Sequence, residues 1–308
     1  MRKTNDLGRD PVFRLVCRLA IPTMLAQLVS VLYSIVDRIY IGNIQGIGDL
    51  ALAGVGVCGP IVTLLSSFAS LVGLGGSPIM AMRMGEGRDR EAGRVLSNSF
   101  LMLLILSGVL TTLFLLLKEH LLMWFGASDA TFGYANTYLT IYTAGTFFAL
   151  MATGMNSFLI AQGFSGLGMA TVMLGAVLNI ILDPIFIFGL HLDVAGAALA
   201  TVAAQTVSVL VSLFLIRLRR RSLPFAFSRR HLRFHRDIIG AELRLGTPVA
   251  LQELLVGTSF LLIQAIVNSF GVAASAGVGV AEKVCVFIML VPSAYMQSMS
   301  SFVAQNMG

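Results

Sequence analysis

The chain has 308 residues, of which 56% are hydrophobic and 12% charged, and a formal net charge of +6. Roughly 25% of an ordinary soluble domain is charged, so this composition excludes a water-soluble globule. The basic residues fall in short clusters between apolar runs, which points away from a nucleic-acid partner, and Cys17, Cys58 and Cys285 are dispersed without the spacing of a disulfide or zinc framework.

The apolar runs are too long and continuous for barrel strands, so the predicted class is an all-α, polytopic helical membrane protein. Helices are expected over 12–41, 50–82, 93–117, 131–159, 166–189, 194–216, 240–270 and 275–303. The first is too long for a signal-peptide core and lacks a small-residue cleavage pattern, so it reads as a retained span. Arg2, Lys3, Arg9, Arg14 and Arg18 flank it; Arg83, Arg88, Arg90 and Arg94 fill the second connection; a run of arginines from Arg217 to Arg244 fills the sixth. The positive-inside rule makes these three segments cytoplasmic, with a cytoplasmic amino terminus in a multi-pass cytoplasmic (inner) membrane protein. Lys118 is the only Lys or Arg in 42–49, 118–130 and 190–193, so those connections lie outside, where Trp124 and Phe125 suit an interfacial belt.

The sequence repeats itself. Arg18-Leu19-Ala20-Ile21-Pro22 returns as Arg244-Leu245-Gly246-Thr247-Pro248, and Ala53-Gly54-Val55-Gly56-Val57 returns identically from Ala276 to Val280; Met84-Gly85 returns as Met307-Gly308. A duplicated unit of about six spans has the same orientation in both copies, which predicts two lobes around an axis along the membrane normal and a cavity between them. The expected division is an amino-terminal six-helix lobe over 1–216, a basic cytoplasmic linker over 217–239 and the first two helices of a second lobe over 240–308. On this reading the second lobe is incomplete and the sequence is a fragment. The linker serves as a topology anchor beside the membrane lipids.

Chemistry concentrates in Leu178-Asn179-Ile180-Ile181-Leu182-Asp183-Pro184. Asn179 and Asp183 lie one turn apart on one helix face, and a carboxylate inside an apolar span is a functional-site candidate by default. Pro184 lacks an N–H and disfavours helical geometry at Asp183, so a break there is expected to free backbone oxygens for a cation. Asp37, Thr201 and Tyr138 fall at a similar depth below the outer surface. Two carboxylates in one apolar pocket do not both stay ionised cheaply, so the pair is expected to share a proton or a cation such as Na⁺. Glu253 lies near mid-membrane in the seventh span; its repeat counterpart is Gln27, and that of Asp37 is Ile263, so the two copies differ chemically. Gly73-Leu74-Gly75-Gly76 lacks the Lys-Ser/Thr of a phosphate loop and reads as a close-approach or bending segment. Glu282 with Lys283 neutralise one another or line the cavity, and His231 with His235 read as solvated.

The Pro22 helix ending in Asp37-Arg38-Ile39-Tyr40-Ile41-Gly42, the Asn179-x-x-x-Asp183-Pro184 helix, the six-helix repeat and Glu253 after the second proline together resemble the multidrug and toxic compound extrusion (MATE) family. The resemblance covers the whole chain. It implies a cation-coupled antiporter, not an enzyme, that exports amphipathic or cationic organic compounds by rocking two lobes, with Na⁺ or H⁺ as coupling ion, no cofactor and a monomeric state. By the same resemblance Asp37, Asn179, Asp183, Thr201 and Tyr138 match the amino-lobe cation site, with Na⁺ at the first four, and Glu253 matches an acidic residue of the other lobe. The family's remaining acidic position in the second lobe has no counterpart here. A lipid-linked saccharide flippase is the alternative, and would want cationic side chains in the cavity. An intramembrane prenyltransferase is a third reading, but its metal motif needs a carboxylate where Ile187 stands.

Overall fold

In the computed structural model, residues 12–218, 234–268, 270 and 272–308 are described. Nine helices are found among them: α1 Val12–Gly42, α2 Gly48–Gly85, α3 Asp89–Trp124, α4 Asp129–Ala144, α5 Thr146–Ala161, α6 Ser165–Pro184, α7 Asp193–Leu218, α8 Arg236–Asn268 and α9 Val272–Met307. Six of them are long and apolar enough to cross a bilayer, and α4 with α5 makes a seventh span as a bent pair. The 33 residues of α8 also exceed the ~20 needed for hydrocarbon. The fold is an all-helical membrane bundle.

Three expectations change. The predicted span 131–159 is two helices bent by 58°. Gly145 marks the break: its N–H reaches the carbonyls of both Ile141 and Tyr142, and a Cβ there would meet Val202 Cγ2 of α7 at 2.5 Å. Only a residue without a side chain lets the bend press so closely on α7. The third helix runs on to Trp124 rather than stopping near 117, because Lys118 Nζ donates to Thr140 Oγ1 of α4 at 3.0 Å and the next residues keep the helical turn. The connection to α4 shrinks accordingly, and the Ser128 N–H donates to Thr131 Oγ1 at 3.0 Å to start α4. Asp183 is not the break point of its helix. Helical geometry carries through Pro184, and the irregularity follows as a π-helical turn, Ile185–Gly189, closed by Leu190 N–H to the Ile185 carbonyl at 2.8 Å. Proline perturbs the turn it enters, and here tertiary packing holds Asp183 helical.

α8 and α9 repeat the long pair formed by α1 and α2, with 33 and 36 residues against 31 and 38. The main apolar core joins α2, α3, α4, α5 and α7. A second cluster sets Met80 and Ala81 of α2 against Ala304 of α9 and Ile238 of α8, and a third sets Leu15 and Leu19 of α1 against Phe302 of α9. These contacts gather at the end where α2 and α9 finish and α8 begins. At the other end Leu251, Leu255, Leu262 and Ile266 of α8 are exposed. The basic segment between α7 and α8, with His231, and the side chains of Glu282 and Lys283 lie outside the described residues.

Candidate functional site: a carboxylate cluster beside a polar cavity

Asn179 and Asp183 project from the same face of α6, as their spacing requires, and the Asn179 Nδ2 donates to Asp183 Oδ1 at 3.2 Å. The same nitrogen donates to Thr201 Oγ1 of α7 at 3.3 Å. From α1, the Asp37 carboxyl comes within hydrogen-bonding reach of Asp183. Asp183 is 0% exposed, Asn179 2% and Asp37 8%. Arg38, beside Asp37 in sequence, is exposed, and its charge is still within electrostatic reach of Asp37. Tyr138 of α4 is buried and within electrostatic reach of Asp37. The structure therefore places Asp37, Asn179, Asp183 and Thr201 in one hydrogen-bonded group with Tyr138 alongside.

Three oxygens of this group, Asp37 Oδ1, Asn179 Oδ1 and Asp183 Oδ2, are buried without a hydrogen-bond donor. Buried polar atoms are rarely left so, because each costs ~1–3 kcal/mol. Two carboxylates this close hold together only through a shared proton or an intervening cation. Carboxylate, amide and hydroxyl oxygens are the hard donors that such a cation prefers. No group of three His, Cys, Asp or Glu side chains is placed to hold a metal among the described residues.

Further members were missed from the sequence. Tyr33 lies within electrostatic reach of both aspartates, and the Tyr142 hydroxyl meets the Gln205 side chain. Each stands one helical turn from a residue already singled out: Tyr33 from Asp37, Tyr142 from Tyr138, Gln205 from Thr201. The same i, i+4 spacing that drew attention to Asn179 and Asp183 would have found them.

Asn179 and Thr201 also face a cavity of about 560 Å³ bounded by α1, α2, α5, α6, α7, α8 and α9. Glu253 reaches it from α8 and hydrogen-bonds Ser70 of α2, whereas its repeat counterpart Gln27 reaches it from α1. Ile263, the counterpart of Asp37, is an exposed apolar residue. Glu253 is the only charged residue among the described lining, which is otherwise rich in serine, threonine and amides. Residues 22–185 match the MatE family.

The chain belongs to the MatE family. Similar proteins include the multidrug export protein MepA of Staphylococcus haemolyticus, 26% identical over 295 residues covering 96% of this chain and 64% of that one. Another is an FAD transporter of Shewanella oneidensis, 25% identical over all of this chain and 68% of that protein. Among solved structures, an outward-facing multidrug resistance MATE family transporter superposes with a TM-score of 0.88 at 26% identity, covering 98% of this chain and 66% of the other. This MatE chain thus spans about 64–68% of the length of these relatives. Membership in a family of transporters sets aside the prenyltransferase reading.

Proposed function

We propose that the protein is a cation-coupled antiporter that exports amphipathic or cationic organic compounds across the cytoplasmic membrane, with Na⁺ or H⁺ as the coupling ion. The observation that carries this reading is the set of three donor-less oxygens on Asp37, Asn179 and Asp183, buried beside a polar cavity into which Asn179 and Thr201 also face. A cation or proton bound there satisfies those oxygens and stabilises the arrangement of α1, α6 and α7 that assembles them. Any shift between conformations is limited by the difference in affinity for the ion between them. In the cavity, Glu253 offers a single negative charge to an organic cation, and the small hydroxyl and amide groups of the lining leave room for varied shapes. A flippase or a carrier of phosphorylated compounds is less well supported, because no described lining residue is Lys or Arg.

Orientation follows the arginines. The ends of α2 and α9 and the start of α8 face the cytoplasm, with the carboxylate cluster toward the outside. Single cysteines at Ser222 and Ser128, in a background without Cys17, Cys58 and Cys285, are expected to react from the cytoplasmic and outer sides respectively.

The decisive test is cation binding by the purified chain in nanodiscs, by calorimetry with Na⁺ against choline and by proton release after a pH jump. The parent binds one or the other, and Asp183→Asn and Asp37→Asn insert normally and lose that binding. Unchanged Na⁺ and proton binding in both variants overturns the reading.

A further inference from the structure

Glu242 lies on α8, near its start, and is 0% exposed. No motif or spacing in the sequence singles it out, and its repeat counterpart is the apolar Val16. Its surroundings are made by close backbone approach. A Cβ on Gly75 of α2 would meet the Glu242 carbonyl at 2.5 Å, and one on Gly76 would lie 3.2 Å from Glu242 Oε1. Phe158 of α5 and Ser99 of α3 crowd the same face of Gly76, each 2.8 Å from such a Cβ, and the Gly246 backbone of α8 presses on Leu71 of α2. The segment Gly73–Gly76, which resembles a phosphate loop only superficially, is thus the cradle for a carboxyl from another helix.

The hydrogen bonds bear on its protonation. Ser99 Oγ of α3 lies 2.7 Å from Glu242 Oε1 and 2.9 Å from the Val95 carbonyl. A hydroxyl has one proton to donate, and the Val95 carbonyl only accepts. Both contacts are full hydrogen bonds at once when Glu242 supplies the second proton. Glu242 Oε2 is buried without a partner, which an ionised carboxylate tolerates far worse than a carboxylic acid. Among the described residues, the charged groups on the helices packed around it are turned to solvent or paired with one another, and His235, ahead of α8, donates its backbone N–H to Asn98 Oδ1 of α3 at 2.9 Å. Gly75, Gly76, Ser99 and Phe158 are neutral; Arg94 of α3 and Arg236, Asp237 and Arg244 of α8 are exposed, Arg83 of α2 pairs with Glu86 and Glu91, and α5 has no charged residue.

We propose that Glu242 is a second proton-binding site, holding a proton while the closure between α2, α3 and α8 is shut and releasing it to the cytoplasm when the closure opens. Ionisation gives one carboxylate and one proton, and water entering between the separated helices solvates both. This rests on the rocking exporter reading, because it requires α8 to leave α2 and α3 at the cytoplasmic end. It differs from the outer cluster in place and residues.

The test uses the whole chain without Cys17, Cys58 and Cys285, with Ala304→Cys, which reports on α9 packed against Met80 and Ala81 of α2. Labelling by a membrane-impermeant maleimide in inside-out vesicles is normalised to a cysteine at the exposed Arg88, which cancels the thiol's own pH dependence. From acidic to mildly alkaline pH, normalised labelling rises about fivefold or more, the lower range for one coupled site. In Glu242→Gln, which keeps shape and neutrality, it stays at the acidic level throughout, and Glu242→Asp keeps the rise. An equal rise in Glu242→Gln overturns the proton site while leaving the exporter reading intact. The absence of a rise in the parent shows that the closure does not open with pH and overturns the proposal, and cation binding at Asp183 then judges the exporter reading separately.

Discussion

Asp183 and Glu242 are both fully buried acids, but the helices around them use different means to accommodate them. Around Asp183, α1, α4, α6 and α7 each contribute a pair of polar residues one turn apart, and the result still leaves four oxygens without donors, Gln205 Oε1 among them. Around Glu242, α2 contributes bare glycine backbone and α3 one hydroxyl, with backbone pressed on backbone. The first arrangement is rich in unused acceptors next to a cavity, which suits uptake of a small cation. The second has no space to fill and suits a contact that is either made or broken. Burial alone therefore says little about what an acid does; the chemistry and closeness of its neighbours say more.

The largest expected effect falls on the closed end. Gly246→Val drives side-chain carbons into the Leu71 carbonyl of α2, where only backbone can yield. Overpacking of this kind costs about 1–3 kcal/mol, with the upper end expected here. Thermal unfolding in nanodiscs should show a lower Tm, and the cysteine at Ala304 should become more reactive. Cation binding at the Asp183 cluster should persist. If Gly246→Val removes that binding as well, the two regions are one cooperative unit and the comparison fails.

The sequence made some of this visible and hid the rest for physical reasons. Asn179 and Asp183 stand out because polar residues one turn apart in a 20-residue apolar helix have few explanations. Seven of the eight predicted spans are unbroken crossings, one of them ending in a π-helical turn, because hydrophobic length is dictated by bilayer thickness. The bend at Gly145 was hidden, since a glycine in an apolar run is compatible with either a straight or a broken helix, and the deciding contact, Val202, is distant in sequence. Glu242 was hidden for a related reason. It sits among Arg236, Asp237 and Arg244 at a helix start, where a charge is ordinarily solvated, and nothing local shows that Gly75, Gly76 and Ser99 close over it.

A middle-sized effect probes the cavity between the two regions. Glu253 carries the only charge in the described lining, so Glu253→Gln should weaken binding of an organic monocation about tenfold, equivalent to ~1.4 kcal/mol. A neutral ligand of similar shape should bind as before. Fluorescence titration with the two ligands measures the difference. Equal loss for both would make Glu253 a packing residue held by Ser70 rather than a charge offered to the ligand.

The smallest effect separates two hydroxyls, Thr201 beside the Asp183 cluster and Ser99 beside Glu242. Thr201 accepts a hydrogen bond of 3.3 Å from Asn179, which also keeps Asp183 at 3.2 Å. Thr201→Val preserves volume and leaves Asn179 one of its two partners, so the cost is that of one modest hydrogen bond, ~0.5–1.5 kcal/mol. Cation affinity should fall about two- to tenfold, with thermal stability nearly unchanged. Ser99→Ala should do the reverse: it strips the only hydroxyl from a buried carboxyl, loosening the closure and raising Ala304→Cys labelling while cation affinity stays constant. The double variant should show the two losses independently, because the sites share no hydrogen-bond partner. A cation affinity that drops as far with Ser99→Ala as with Thr201→Val would mean that the closure sets the occupancy of the Asp183 cluster, and the two carboxyl regions would have to be treated as coupled.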